Sequence, residues 1–193
     1  MKPLITQDYK GFTIEIHYDP EPISPDEWSD NGLFLVSGHP DLFIKHDLIK
    51  EDPRHFACRR LPKIKLPSNR RMYYVFTLYG YSHSGVGLSL SNDHYPFNCP
   101  WDGFFTGTVF ASAKEFRTQD KARIGAQGLV DRWNNHFSGN VYGFQVLDKD
   151  GEHVDSCWGF EGDSDYALSQ AKENVDGIIS YNETESLASA GIF

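Results

Sequence analysis

The chain has 193 residues, of which 39% are hydrophobic and 15% aromatic, and its formal net charge is −9. That length and apolar content exclude a disordered chain and suit one domain with a ring-rich core. No run of about 18 apolar residues exists, which excludes a transmembrane helix, and MKPLITQDYKGF lacks the apolar stretch of a signal peptide.

Gly11–Tyr18, GFTIEIHY, alternates Phe12, Ile14, Ile16 and Tyr18 with Thr13, Glu15 and His17, the period of a half-buried strand. Asp19-Pro-Glu-Pro ends it. Ser24, Pro25 and Glu27 then stand at the cap, first-turn and capping-box positions of one helical turn. Gly32–Ser37 reads as a short buried strand. Between His39 and Phe56, Leu42, Phe43, His46 and Ile49 suit a short helix bounded by Pro40 and Pro53. The following stretch contains Pro62 and Pro67 and is predicted as an extended loop or edge strand.

Met72–Tyr81, MYYVFTLYGY, is the strongest central strand, and Val86–Leu90 pairs back on it. Phe104–Ala111 is a further strand. Ser112 and Glu115 have capping-box spacing for a short helix, and a longer one spans about Gln119–Phe137 with Ala126, Leu129, Val130, Trp133 and Phe137 on one face. Gly139 suits the residue after its end. Val141–Leu147 and His153–Trp158 flank the turn Asp148-Lys-Asp-Gly151 as a hairpin, and Asp163-Ser-Asp165 opens a last helix. The class is therefore α+β, a largely antiparallel sheet with two or three helices packed on it. A single globular domain is expected over residues 1–180, with a loosely held tail over 181–193.

Charge is uneven. Residues 54–71 hold seven basic side chains and no acidic one, whereas residues 148–185 hold eleven acidic side chains against Lys149 and Lys172. Arg59, Arg60, Lys63, Arg70 and Arg71, followed by Tyr73, Tyr74, Phe76, Tyr79 and Tyr81, have the chemistry of single-strand nucleic-acid binding, in which cations track phosphates and rings stack on bases. The plainer reading puts those rings in the core and the cations on a solvated edge. The acidic third suits docking on a basic partner, with Asp148, Asp150, Glu152 and Asp155 as contacts and Trp101 and Trp158 as anchors.

Three cysteines, Cys58, Cys99 and Cys157, are odd in number and form no CxxC, which predicts a reducing cytoplasmic setting and no disulfide framework. Cys157 with His83 and Asp102 would supply a thiolate, its base and an orienting carboxylate, each within two residues of a glycine. The alternative for Cys157 is a small buried hydrophobe. His153 and Cys157 would lie roughly 13 Å apart on one face of a strand, too far for one ion, so no metal is assigned. No phosphate-binding glycine motif occurs and no cofactor is expected.

Three blocks, YGYSHSGVGLSL, YPFNCPWDG with FFTGTVFAS, and GNVYGFQVLDKDGEHVDSCWGFEG, together resemble a family of small proteins from bacteriophages and phage-like elements. The resemblance covers roughly residues 73 to 180. It implies an accessory protein acting in the bacterial cytoplasm. Many such proteins bind and inhibit restriction or CRISPR machinery, so it implies a host protein complex as partner. A non-enzymatic, anti-defence binding protein is therefore the expectation. A cysteine-dependent enzyme using Cys157 and a nucleic-acid binder using residues 54–71 are the alternatives.

Overall fold

The computed structural model describes residues 2–27, 32–39, 42–50, 63–66, 70–82, 85–91, 95–97 and 103–189, and among these residues it has ten strands and three helices. The chain divides into two compact units, Met1–Pro22 with Gly139–Phe193 and Ile23–Ser138. The class is α+β, and among the described residues every strand pairing is antiparallel. No helix among the described residues is long and apolar enough to cross a membrane.

Unit 1 is a four-stranded sheet in the order β1 (Ile5–Tyr9), β2 (Phe12–Tyr18), β9 (Val141–Leu147), β10 (His153–Glu161), with helix α3 (Ser164–Ser189) on one face. β2 keeps the alternation of its sequence: Ile14 and Ile16 are fully buried beside Phe144 and Val146, against Ala167, Ala171 and Val175 of α3. Those helix residues recur every fourth position, so a single stripe meets the sheet.

β1 was not anticipated. It is set by the two-residue turn Lys10-Gly11, whose φ values of 49° and 87° are both positive, the geometry of a primed hairpin turn. Lys10 Nζ then reaches Asp176 of α3 at 2.8 Å. The bond to Lys10 holds the Asp176 carboxyl below its ordinary range, and the same bond raises the Lys10 ammonium.

The anticipated β9–β10 hairpin is present. Asp148 organises its turn: one carboxylate oxygen accepts the N–H groups of Asp150 and Glu152, each at 2.9 Å. β10 carries two bulges, at Val154 and at Gly159, the latter with φ 88°. Asp163 caps α3, accepting the Asp165 N–H at 3.0 Å. The helix continues beyond Tyr181 to Ser189, a stretch expected to be loosely held.

Unit 2 contains β3 (Leu33–His39), β4 (Leu42–Ile44), β5 (Lys63–Lys65), β6 (Met72–Ser82), β7 (Val86–Leu90) and β8 (Gly103–Ser112). They form one sheet in the order β4-β3-β8-β6-β5, with β7 also paired to β6. The short helix expected after His39 is instead β4, paired with Ser37–His39 of β3: a neighbouring strand satisfies its backbone where local periodicity alone suggested a helical turn. β5 bears out the edge-strand reading of the basic stretch.

Helix α2 (Gln119–Phe137) covers one face, burying Ala122, Ala126, Leu129, Val130 and Trp133 on Phe76, Leu78 and Val109. The other face holds a second cluster, with Phe34, Tyr73 and Phe110 at its centre. Gly107 is required where β3 and β8 meet, because a Cβ there would lie 1.9 Å from the Val36 carbonyl oxygen. Helix α1 (Ala113–Phe116) is one turn. The capping box expected at Ser112 is absent: Ser112 still belongs to β8, its N–H donates to Gly32 O at 2.7 Å, and its side chain makes no cap bond. Thr118 caps α2 instead, after Arg117 at φ 45°, whose carbonyl oxygen accepts the Tyr74 hydroxyl at 2.9 Å.

Candidate functional site

The residues singled out in the acidic third divide into structural and presented groups. Asp148 is engaged in its own turn. Asp155 accepts the Ser156 N–H at 2.8 Å and the Asn174 side-chain N–H at 2.7 Å, which ties β10 to α3. Asp150 and Glu152 are exposed at the hairpin tip. Trp158 is 39% exposed. Its ring lies across Gly143 of the neighbouring strand, where a Cβ would come within 2.0 Å of Trp158 Cε3, so the glycine makes the seat for the indole. The same ring tilts against His17 at 6.3 Å between centroids. His17 is buried, with Nε2 3.1 Å from Glu15 Oε2 and Nδ1 lacking a hydrogen-bond partner among the described residues.

Cys157 is exposed on β10, with Sγ 3.9 Å from the Trp158 carbonyl oxygen. It is therefore not the small buried hydrophobe of the plainer reading. His83, Asp102 and Trp101 lie outside the described residues, as do Arg59 and Arg60. Lys63 stands on β5, and Arg70 (φ 57°) and Arg71 are exposed before β6. Tyr73, Tyr74 and Phe76 are buried at 4% exposure or less, so these rings belong to the core and present no open surface on which a nucleic-acid strand could stack. Among the described residues no group of three or more His, Cys, Asp and Glu is placed to hold a metal ion.

The charge asymmetry of the sequence coincides with the division into units. Unit 1 carries 15 acidic and 4 basic residues, a formal −11, whereas unit 2 carries 12 acidic and 14 basic, a formal +2. The whole negative excess therefore sits on unit 1.

Sequence reasoning missed the second feature, a cavity of about 540 Å³ in unit 2. Its wall combines Leu33–Leu35 of β3, the α2 positions Gly125, Gly128, Leu129, Arg132 and Trp133, and Arg71 and Tyr73 at the start of β6. Asp26, His46, Ser112 and Glu115 add polar groups. It lies beside the part of β3 that β4 does not reach, since β4 pairs only Ser37–His39.

Two glycines of α2 shape it differently. A Cβ at Gly125 would strike the Phe116 ring at 2.5 Å, so Gly125 allows that ring to pack. A Cβ at Gly128 would meet nothing within 4 Å. Gly128 therefore weakens the helix by about 1 kcal/mol relative to Ala with no packing reason.

His46 is the cavity's titratable ring. It stacks on Phe34 at 3.9 Å and 14°, and Phe34 stacks on Phe110 at 4.8 Å and 11°. Burial pushes the imidazole below its ordinary value, against the opposing pull of Asp47 and Asp26. Its Nδ1 accepts the Leu48 N–H at 3.3 Å, which leaves the proton of the neutral ring on Nε2. No local motif links these residues. Only the glycine at 128, unfavourable in a helix and otherwise unexplained, signals the cavity in sequence.

Comparison with known proteins finds no family model, no curated protein and no solved structure that matches this chain.

Proposed function

We propose that the chain is a non-enzymatic binding protein whose acidic unit 1 docks on a basic surface of a protein partner. The observation that carries this reading is the formal −11 of unit 1 beside the +2 of unit 2. Such a field raises the encounter rate with a positive surface and repels nucleic acid. The hairpin tip presents Asp150 and Glu152, and Trp158 adds a half-exposed ring of the type that anchors interfaces.

The sequence resemblance to phage accessory proteins supplies the setting: a bacterial cytoplasm, and a host complex that handles nucleic acid and therefore owns a basic channel. Inhibition follows if the acidic surface occupies that channel in place of the nucleic acid.

The test is competition. Purified restriction or CRISPR effector complexes are incubated with the chain, and nucleic-acid binding is followed as ionic strength rises. Displacement that weakens with salt and is lost in the Asp150→Lys, Glu152→Lys double variant is expected. Displacement unchanged by salt and by charge reversal refutes the reading. Direct binding of single-stranded nucleic acid by the chain, steeply salt-dependent and lost in Arg70→Glu, Arg71→Glu, would establish the alternative.

A further inference from the structure

We propose that the cavity of unit 2 is a binding site for a planar, uncharged heteroaromatic molecule of the nucleobase or nucleoside class. At about 540 Å³ it falls within the roughly 300–1,000 Å³ range of small-molecule sites. Its walls are strands and a helix rather than loops alone, so it is held open by the packing of unit 2.

Three observations select the ligand. Phe110, Phe34 and His46 form a run of near-parallel rings whose last member lines the cavity, and Trp133 lines the α2 side. A flat aromatic molecule matches such walls, because aromatic faces associate without regard to the identity of the ring. The four described ionic groups of the lining, Asp26, Glu115, Arg71 and Arg132, sum to zero, so a net charge on the ligand gains no overall attraction. Carboxylates, guanidinium groups, the Ser112 hydroxyl and the Nε2–H of His46 offer acceptors and donors together. A nucleobase edge alternates the same two functions.

Gly128 provides the third observation. It lines the cavity at a helix position where a Cβ would meet nothing within 4 Å, so a larger side chain has room there and most residues would favour the helix over glycine.

Calorimetric titration of the full chain with the four common ribonucleosides, and separately with inorganic phosphate, tests the site. At least one nucleoside is expected to bind and phosphate is not. Gly128→Leu, which sends a side chain into the open space, should weaken that binding about ten-fold or more while leaving the thermal midpoint unchanged or higher. His46→Phe keeps the ring stack, removes the Nε2–H, and should weaken binding by a smaller factor; it carries the test if Gly128→Leu does not fold. Absence of nucleoside binding overturns the proposal. So does unchanged affinity in both variants, or binding of phosphate that competes with the nucleoside. None of these outcomes bears on the acidic surface of unit 1, which is read out separately by competition for the basic partner.

Discussion

Asn134 of α2 holds an edge strand as another strand would. Its amide oxygen accepts the Leu88 N–H at 2.7 Å, and its amide nitrogen donates to the Leu88 carbonyl at 3.0 Å. Leu88 lies on β7, opposite Gly80 of β6, and its side chain is 5% exposed in the core beneath α2. Both outward backbone groups of Leu88 are thus satisfied by one side chain 46 residues away.

Asn134→Ala removes two neutral hydrogen bonds, each worth about 0.5–1.5 kcal/mol, and leaves two half-buried groups that water only partly reaches. A loss of about 2 kcal/mol is expected. Asn134→Asp keeps an acceptor for the N–H but sets a carboxylate against the Leu88 carbonyl oxygen, so its loss should equal or exceed that of Asn134→Ala. Urea denaturation reads both as a lower midpoint at constant slope, and amide exchange at Leu88 should quicken. If Asn134→Ala costs less than about 0.5 kcal/mol and Leu88 exchange is unchanged, the clamp is not a determinant of β7 docking.

Three further outcomes follow from single residues. Gly143→Ala drives a Cβ into the Trp158 ring at 2.0 Å, so the indole must lift; red-shifted tryptophan fluorescence and about 1–3 kcal/mol of destabilisation are expected, and an unchanged spectrum and midpoint would refute the seat. Gly107→Ala places its Cβ 1.9 Å from a backbone oxygen that cannot rotate away, so it should cost more than Gly143→Ala on the same urea scale; a smaller loss refutes the close approach of β3 and β8. Burial pushes the His46 imidazole below its ordinary value in the folded chain, so the unfolded chain takes up this proton first as pH falls. Its influence on stability is level above its ordinary value of 6.5 and becomes unfavourable as pH falls below it. Urea midpoints on either side of pH 6.5 should show this decline, and His46→Phe should flatten it; an identical profile in the variant removes His46 as the cause.

What sequence could disclose depended on how locally each element is encoded. β2, β6, β7, the β9–β10 hairpin and the buried face of α2 follow from alternation or helical spacing within a dozen or so residues. β1 was missed because Thr6-Gln7-Asp8 is polar and edge strands need bury little; Lys10-Gly11 is the signal that could have found it. β4 is three residues long, too short for a period to register. Ser112 met the spacing rule for a cap while its backbone was committed to β8. The cavity was illegible for a different reason: its wall joins Asp26, His46, Arg71, Glu115 and Arg132, and only sheet pairing and the docking of α2 bring such separations together. The acidity of the last third was plain in the sequence. That it belongs with the first 22 residues, which add Asp8, Glu15, Asp19 and Glu21, emerged only from the pairing of β2 with β9.

That pairing sets an order of events at the ribosome. The β1–β2 hairpin emerges before unit 2, but its partner β9 begins only at Val141, after all of unit 2. At about 5–20 residues per second, the hairpin waits roughly 6–25 seconds with Ile14 and Ile16 uncovered. Unit 2 can finish folding in that interval, whereas unit 1 must await the return of the chain. The exposed Lys10 turn and the Thr13, Glu15 and His17 alternation keep one side of the waiting hairpin polar, and the tight Lys10-Gly11 reversal favours its closure locally. Slowing translation ahead of Val141 should therefore lengthen the exposure of this one hairpin and leave unit 2 untouched.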